Sequence, residues 1–387
     1  MWIQKTIAMG ATKLKNPFPV STYQGAEYFC DREEETKNLI SNLTNGNSTT
    51  LLSIRRIGKT GLIKHVFSKL PKGYKGIYAD ILETENLNQF LNILTTSIIN
   101  SVPEKSGPGK TLWNLIRSLR PVISFDSLSG SPQASFDIKP KEVETNINAL
   151  LLFLDQQDFN TIIAIDEFQQ ILNYPEKNTD AWLRTRIQQL KKVVFVFSGS
   201  QQHLMTELFS SPKRPFFRST QIMQLGKLNR ETYCKFIISM FQKYNKKISS
   251  ETACEIIEWS NVHTFYVQQL CNRVFSSSDQ NITSAIWKEQ AYLILKEQEQ
   301  VFFSYRNMLT NHQWQLLKAI AHERKVFQPT SKDFLNKHKL GSSATILRSL
   351  KSLQGYELVY HDFDAEGNKY YSVYDVFFQR WMESRND

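Results

Sequence analysis

The sequence is short of the features that would place it in a membrane or outside the cell. Its 387 residues hold four cysteines, Cys30, Cys234, Cys254 and Cys271. None forms a C-x-x-C pair, so neither a zinc ribbon nor a disulfide framework is expected, and a reducing, cytoplasmic setting is. No window of about 18 apolar residues occurs, so no membrane-spanning helix is expected. The opening MWIQKTIAMGATKLKNPFPV lacks an unbroken apolar stretch, so no secretory signal is expected, and Met9 is a candidate alternative start. Internal repeats and low-complexity tracts are absent. Glycine is sparse, 15 in all, and one missing glycine falls at a telling place.

What is present is a soluble globular composition, 41% hydrophobic, 12% aromatic and 22% charged. The length allows two or three domains with their own cores. Lys and Arg number 47 against 37 Asp and Glu, a net charge of +10. That excess suits a polyanionic partner, nucleic acid or anionic lipid, though many basic proteins bind neither.

Periodicity divides the chain into regions. Residues 1–22 read as an irregular N-terminal arm with two prolines. From 23 to about 228, short β-branched runs alternate with helical stretches: STTLLSI, KGIYADIL, NTIIAIDEF and KVVFVFSGS are buried strands, and DREEETKNLISNLTNG, GKTGLIKHVFSKL and residues 86–102 and 141–157 are helices. That alternation predicts an α/β fold with a parallel, doubly wound sheet. PEKSGPGK reads as a loop. RPVISFDSLSGSPQASFDIKP (about 120–140) reads as an inserted β-hairpin, two alternating segments around Ser-Gly-Ser-Pro. Residues 229–305 read as helices only. Residues 306–387 read as helices followed by strand, acidic-Gly turn and strand, the winged-helix pattern.

The chemistry sits at strand ends. LLSIRRIGKTGLI closes in Gly58-Lys59-Thr60 after an apolar strand and before a helix, the layout of a phosphate-binding loop. There, backbone N–H groups and the helix N-terminus cradle phosphate. Lys59 would reach the β- and γ-phosphates and the Thr60 hydroxyl would ligate Mg²⁺. The first glycine of the pattern is replaced by Ser53, so the loop alone is a weak signal. TIIAIDEF supplies the second half: a buried strand delivers Asp166 toward the Mg²⁺ shell and Glu167 to orient and deprotonate the attacking water. Plain solvation is the alternative for any strand-end Asp-Glu pair, but loop and carboxylates in this order make a nucleotide site the stronger reading. Ser198, ending VVFVFS, could bond the attacking water or γ-phosphate, or merely cap a turn.

Together these segments resemble the P-loop ATPases of the AAA/STAND division, in the archaeal-type ATPase group. YFCDREEE is similar to the family's opening FxGRxxEL, with Cys30-Asp31 in place of its hydrophobic-glycine pair. SIRRIGKTGLI resembles GxRRxGKTSLL, IAIDEFQ and VFSGS the Walker B and sensor regions, and RPFFRSTQIMQLGKL the segment PLYGRxxxIxLxPL. NVHTFYVQQLC resembles the lid motif GGHPYYLQLLC, with Val262 and Thr264 replacing a glycine and the proline, and YYSVYDVFFQRWM resembles YxIxDPxFRxW. The resemblance implies a P-loop ATPase domain, a helical lid at 229–305 and a winged helix at 306–387. It implies ATP or ADP with Mg²⁺ as ligands, and a Mg²⁺-dependent ATPase whose turnover Ser53 puts in question.

By that resemblance Arg55, Arg56, Ile57, Gly58, Lys59, Thr60 and Gly61 line the phosphates, and Thr60 and Asp166 hold the Mg²⁺. Phe29 and Arg32, with Tyr28, lie where such proteins pack the base, or are simply core. His263 would report nucleotide state to the lid, or cap a helix. Arg218 would neutralise γ-phosphate charge in cis or from a neighbouring subunit, or be a surface arginine. Arg186 is weaker, and Asp80 is at most supporting. The serine in place of glycine is expected to cost about 1 kcal/mol if its φ is positive.

In the winged-helix region, GSSATILRSLKSLQ is the expected recognition helix with Ser342 as N-cap and Ile346, Leu347, Leu350 and Leu353 as its core face. Arg348 and Lys351 lie one turn apart near Lys337, His338 and Lys339, and no acid occurs from Asn336 to Lys351. Such a helix suits duplex DNA, though winged helices also dock proteins or only pack. Three classes of function therefore stand: a DNA-associated ATPase, a signalling switch whose output is self-association or assembly with another chain, and a nucleotide-holding scaffold with little turnover.

Overall fold

The computed structural model describes residues 13–385 except 103–106, 120, 128, 137–138, 278 and 365, so Met9 and most of the expected arm lie outside the described residues. The chain divides into two compact units. One is Arg32–Gly226, and the other joins the residues up to Asp31 with those from Lys227 on.

The first unit begins with α1 (Glu33–Thr44), whose first turn carries Glu33, Glu34 and Glu35 where the helix dipole favours acids. Then come β1 (Thr49–Leu52), α2 (Lys59–Ser68), β2 (Tyr74–Asp80), α3 (Leu87–Ser101) and α4 (Gly107–Ser118). A hairpin, β3 (Val122–Phe125) and β4 (Pro132–Ser135), precedes α5 (Pro140–Asp155), β5 (Asn160–Asp166) and α6 (Thr179–Ile187). The unit closes with β6 (Val193–Ser198), α7 (Gln202–Ser210) and β7 (Gln221–Gln224). The main sheet runs β2-β5-β6-β1-β7 with every neighbouring pair parallel. β1 and β6 are buried along their whole length, which is why they read as continuous apolar runs rather than alternating ones.

Two segments differ from expectation. β7 was not anticipated: Gln221-Ile-Met-Gln lies at the sheet edge with Ile222 45% exposed, so it carries no buried-strand signature. Part of PEKSGPGK, expected as loop, is the start of α4, because Leu112 and Ile116 one turn apart are both fully buried and hold the helix to the core. Its glycines and proline fall in the first turn, where they are tolerated. The hairpin forms as expected, with Val122 opposite Ser135 and Phe125 opposite Pro132.

In the second unit the described end of the arm is irregular but anchored. Phe18 is 1% exposed and packs against Phe241 and Phe275, and Asn16 donates to the Asn272 carbonyl. The helices are α8 (Arg230–Lys243), α9 (Ser250–Trp259), α10 (Thr264–Ser276) and the long α11 (Ser284–Met308). The helix-only expectation is corrected by two short parallel strands, β8 (Lys247–Ile248) and β9 (Asn281–Ile282). Between α9 and α10 the chain turns through two successive left-handed residues, Asn261 and Val262. This is where the resemblance led one to expect glycine, and a β-branched residue there stores strain.

The C-terminal part is α12 (Asn311–Glu323), α13 (Lys332–Lys337), α14 (Ser343–Gly355), the antiparallel hairpin β10 (Val359–Phe363) and β11 (Lys369–Val373), and α15 (Val376–Glu383). Thr310 and Gln313 cap α12 reciprocally, and Ser342 caps α14 as expected. On α14, Ile346, Leu350 and Leu353 are buried, but Leu347, expected in the core face, is 56% exposed. The three buried positions follow i, i+4, i+7, and Leu347 falls outside that stripe.

α15 fastens this module to the preceding helices. Arg380, 6% exposed, donates to the carbonyls of Trp259 and Glu258 and to Asn261 Oδ1, and pairs with Glu383 at 2.6 Å.

Candidate functional site

In the first unit, the start of α2 and the ends of β2, β5 and β6 converge on one carboxylate. Asp166, at the end of β5, is 4% exposed. Its Oδ2 accepts from Thr60 Oγ1 at 2.7 Å and from Tyr78 Oη at 2.7 Å, and its Oδ1 accepts from Ser198 Oγ at 2.6 Å and Glu167 N at 3.1 Å. A buried carboxylate is tolerable only with such partners. The same contact pushes the Tyr78 phenol above its ordinary range, with burial the larger cause.

The loop between β1 and α2 turns through Arg56 at φ +60° and Gly58 at φ +107°. Ser53, by contrast, is not in the left-handed region, so the strain that a serine would carry there does not arise. Its side chain is 2% exposed; Oγ donates to the Ile54 carbonyl at 2.9 Å and accepts from Lys59 Nζ at 3.1 Å. Lys59, 7% exposed, also donates to the Ile54 carbonyl at 3.4 Å. Burial lowers its pKa, Asp166 and Glu167 oppose that, and Arg55 adds to it. The ammonium is thus nearly desolvated, with two carboxylates close by. Arg55 and Arg56 are exposed, Ile57 is buried, and Gly61 lies in the first turn of α2.

Glu167 follows in a left-handed conformation, φ +57°. Its Oε2 accepts from Ser200 N at 3.0 Å, Ser200 Oγ at 2.8 Å and Gln169 Nε2 at 2.6 Å. Tyr78, Ser200 and Gln169 were not singled out in the sequence. Ser200 and Gln169 sit in the quoted strand-end segments, and Tyr78 sits two residues before Asp80. Asp80 pairs in register with Asp166, and its pKa is raised by burial.

The other expected residues are distributed as follows. Arg32 is buried and spends its guanidinium on protein: Glu35 at 2.7 Å, the Gly226 carbonyl at 2.6 Å and the Ile57 carbonyl at 3.5 Å. Arg218, φ +51°, is exposed with its guanidinium over the Phe217 ring, and Arg186 is half-buried on α6. Phe29 and His263 belong to the second unit: Phe29 packs edge-on to Tyr23, and His263 is the buried N-cap residue of α10 with its ring against Tyr266. Tyr28 bonds Tyr244 Oη and Leu14 N. Lys339, Arg348 and Lys351 are exposed, whereas Lys337 and His338 both engage Glu323.

Among the described residues no cluster of three or more His, Cys, Asp or Glu could hold a metal by itself. The adjacent Thr60 hydroxyl and Asp166 carboxylate are hard oxygen donors, and one or two protein oxygens are what Mg²⁺ takes when phosphates and waters complete its shell. The donor set therefore fits Mg²⁺ bound together with a nucleotide.

Gly199 is required by close approach. A Cβ there would stand 2.0 Å from Gln169 Oε1 and 2.9 Å from the Met205 side chain. Gly199→Ala is expected to displace Gln169 from Glu167 and destabilise the first unit by about 1–3 kcal/mol. Chemical denaturation beside the parent protein checks this, and an unchanged midpoint would contradict it.

The family described as "ATPase domain predominantly from Archaea" matches residues 29–270, and "Probable winged helix domain" matches residues 300–384. Among solved structures, a Walker-type ATPase of Pyrococcus abyssi is 16% identical, with 95% of this chain and 99% of that one covered at a TM-score of 0.66. The ORC2 protein of Aeropyrum pernix, in ADPNP–ADP complexes, is 11% identical over 91% of this chain and 94% of that one, at a TM-score of 0.55. At such identities these likenesses speak for the fold. No curated protein matches the sequence. The family match spans more than half of the chain, and the protein belongs to the ATPase domains predominantly from Archaea, followed by a winged-helix domain.

Proposed function

We propose that the chain is an ATP-binding switch of AAA/STAND type that hydrolyses ATP slowly with Mg²⁺ and contacts duplex DNA through α14. The observation that carries the nucleotide reading is the 2.7 Å bond between Thr60 and Asp166, which joins the start of α2 to the end of β5 across 106 residues of sequence. In this reading the backbone from Arg55 to Gly61 cradles the phosphates, and Lys59 leaves Ser53 Oγ for the β- and γ-phosphate oxygens. Thr60 and Asp166 hold the Mg²⁺, which when bound neutralises phosphate charge. Ser198 and Tyr78 keep Asp166 aimed.

Glu167 orients and deprotonates the attacking water once its Oε2 is released by Ser200 and Gln169. Arg218 counters charge on the γ-phosphate, in cis or from a neighbouring copy. Arg32 acts by fixing the loop at Ile57 rather than by touching the base. Lys59→Ala and Glu167→Gln are each expected to cut steady-state phosphate release about a hundredfold. Release that survives both substitutions would refute the site.

For DNA, the support is the exposed Lys339, Arg348 and Lys351 in a stretch of sequence without acids, beside a short exposed Ala344 that permits close groove approach. The β10–β11 turn, with Asp364 and Glu366, is acidic, so the helix rather than the wing would meet phosphate. Reversing charge at Arg348 and Lys351 together should weaken duplex binding at least tenfold and flatten log Kd against log salt by about two. Fluorescence anisotropy over a salt series measures both, and a slope that does not change would exclude the helix.

A second reading, a scaffold acting by nucleotide-dependent assembly with little turnover, is favoured by one observation. Lys59 and Glu167 are both held by other side chains, on Ser53 and on Ser200 with Gln169.

A further inference from the structure

A cavity of about 660 Å³ opens in the second unit between α9, α11 and the end of α15. Its walls include three of the chain's seven tryptophans, Trp259, Trp287 and Trp381. Trp287 and Trp381 are each 4% exposed. Their N–H groups are already satisfied, Trp287 by Glu255 at 2.8 Å and Trp381 by Glu299 at 3.1 Å. Trp259 meets Trp287 edge-to-face, ring centroids 6.1 Å apart. Trp287 and Trp381 are therefore fixed in place and back the cavity with their ring edges rather than with free hydrogen-bond donors. Ala291 and Leu295 complete an apolar wall, and Tyr292, 62% exposed, stands at the cavity's edge.

Charge around the cavity is one-sided. Lys288, Lys296 and Arg385 line it against a single carboxylate, Glu299. That carboxylate is compensated, since Arg385 pairs with it while lying over the Trp381 ring at 4.3 Å. Lys288 and Lys296 are exposed, two turns apart on α11, and neither forms an ion pair among the described residues. The volume falls within the range of small-molecule sites, about 300–1,000 Å³, and an apolar aromatic body with a few charged groups is the usual make-up of such sites. None of these side chains is among those assigned to the nucleotide.

We propose that this cavity binds a small organic anion, an aromatic ring body seated among the three indoles with its carboxylate, sulfonate or phosphate head at Lys288 and Lys296. Aromatic complementarity selects the body and the exposed lysines select the sign of the head.

The test uses the full chain and two fluorescent probes of one shape, anilinonaphthalene sulfonate and its uncharged relative phenylnaphthylamine, followed by energy transfer from tryptophan. The sulfonate should saturate a single site and bind at least tenfold more tightly than the neutral probe. Lys288→Glu with Lys296→Glu should remove that preference, Ala291→Phe should fill the cavity and abolish both, and Lys59→Ala should change neither. Equal affinity for the two probes, or a sulfonate preference that survives the lysine reversals, would overturn the proposal. The lysines are exposed, so their reversal remains decisive even if Ala291→Phe does not fold.

Discussion

The first unit depends on how one buried carboxylate is satisfied. Asp166 collects a hydroxyl from α2, a phenol from β2 and a hydroxyl from β6, so three neighbouring elements are pinned to the end of β5. Each donor neutralises part of the penalty of burying a charge, and each loses its own partner if the carboxylate goes. Substituting Asp166 would therefore disturb four strand or helix ends together. The geometry that would place Mg²⁺ and that which holds the sheet's carboxyl edge in shape are the same set of bonds.

In the second unit the helices α8–α11 and the winged helix are not loosely tethered modules. Arg380 reaches back to the carbonyls ending α9 and to Asn261 in the turn before α10. Asn261 also bonds Gln379 at 3.0 Å, and Tyr266 on α10 packs against Phe377 at 4.7 Å. Truncating a buried arginine of this kind would strand several carbonyls at once. Any movement of α10 would thus be carried into α15 and the winged helix.

Much of the first unit was legible because its strands are buried on both faces and end in chemistry-bearing residues, as Asp166, Ser198 and the Gly58-Lys59-Thr60 turn do. β7 escaped because a four-residue edge strand with Gln at both ends has no buried apolar signature. α4 was partly missed because its first turn is written in Gly and Pro. Leu347 was misassigned because an apolar residue on a helix does not announce which face it occupies. At the site, residue types at strand ends pointed to Asp166 and Glu167. Their restraint by Tyr78, Ser200 and Gln169 depends on distances between separate strands, which no local pattern encodes. Ser53 is the instructive case: a missing glycine suggested strain, whereas the backbone has none there and the hydroxyl instead holds the lysine.

The most direct test of the account is binding of a fluorescent ATP analogue to the purified chain with Mg²⁺ and again with excess chelator, repeated for Asp166→Asn. The account predicts tight binding that weakens markedly when Mg²⁺ is withdrawn, and a variant in which withdrawal makes little further difference. Equal affinity with and without Mg²⁺ in the parent protein would contradict the assignment of Thr60 and Asp166 as the metal's protein ligands.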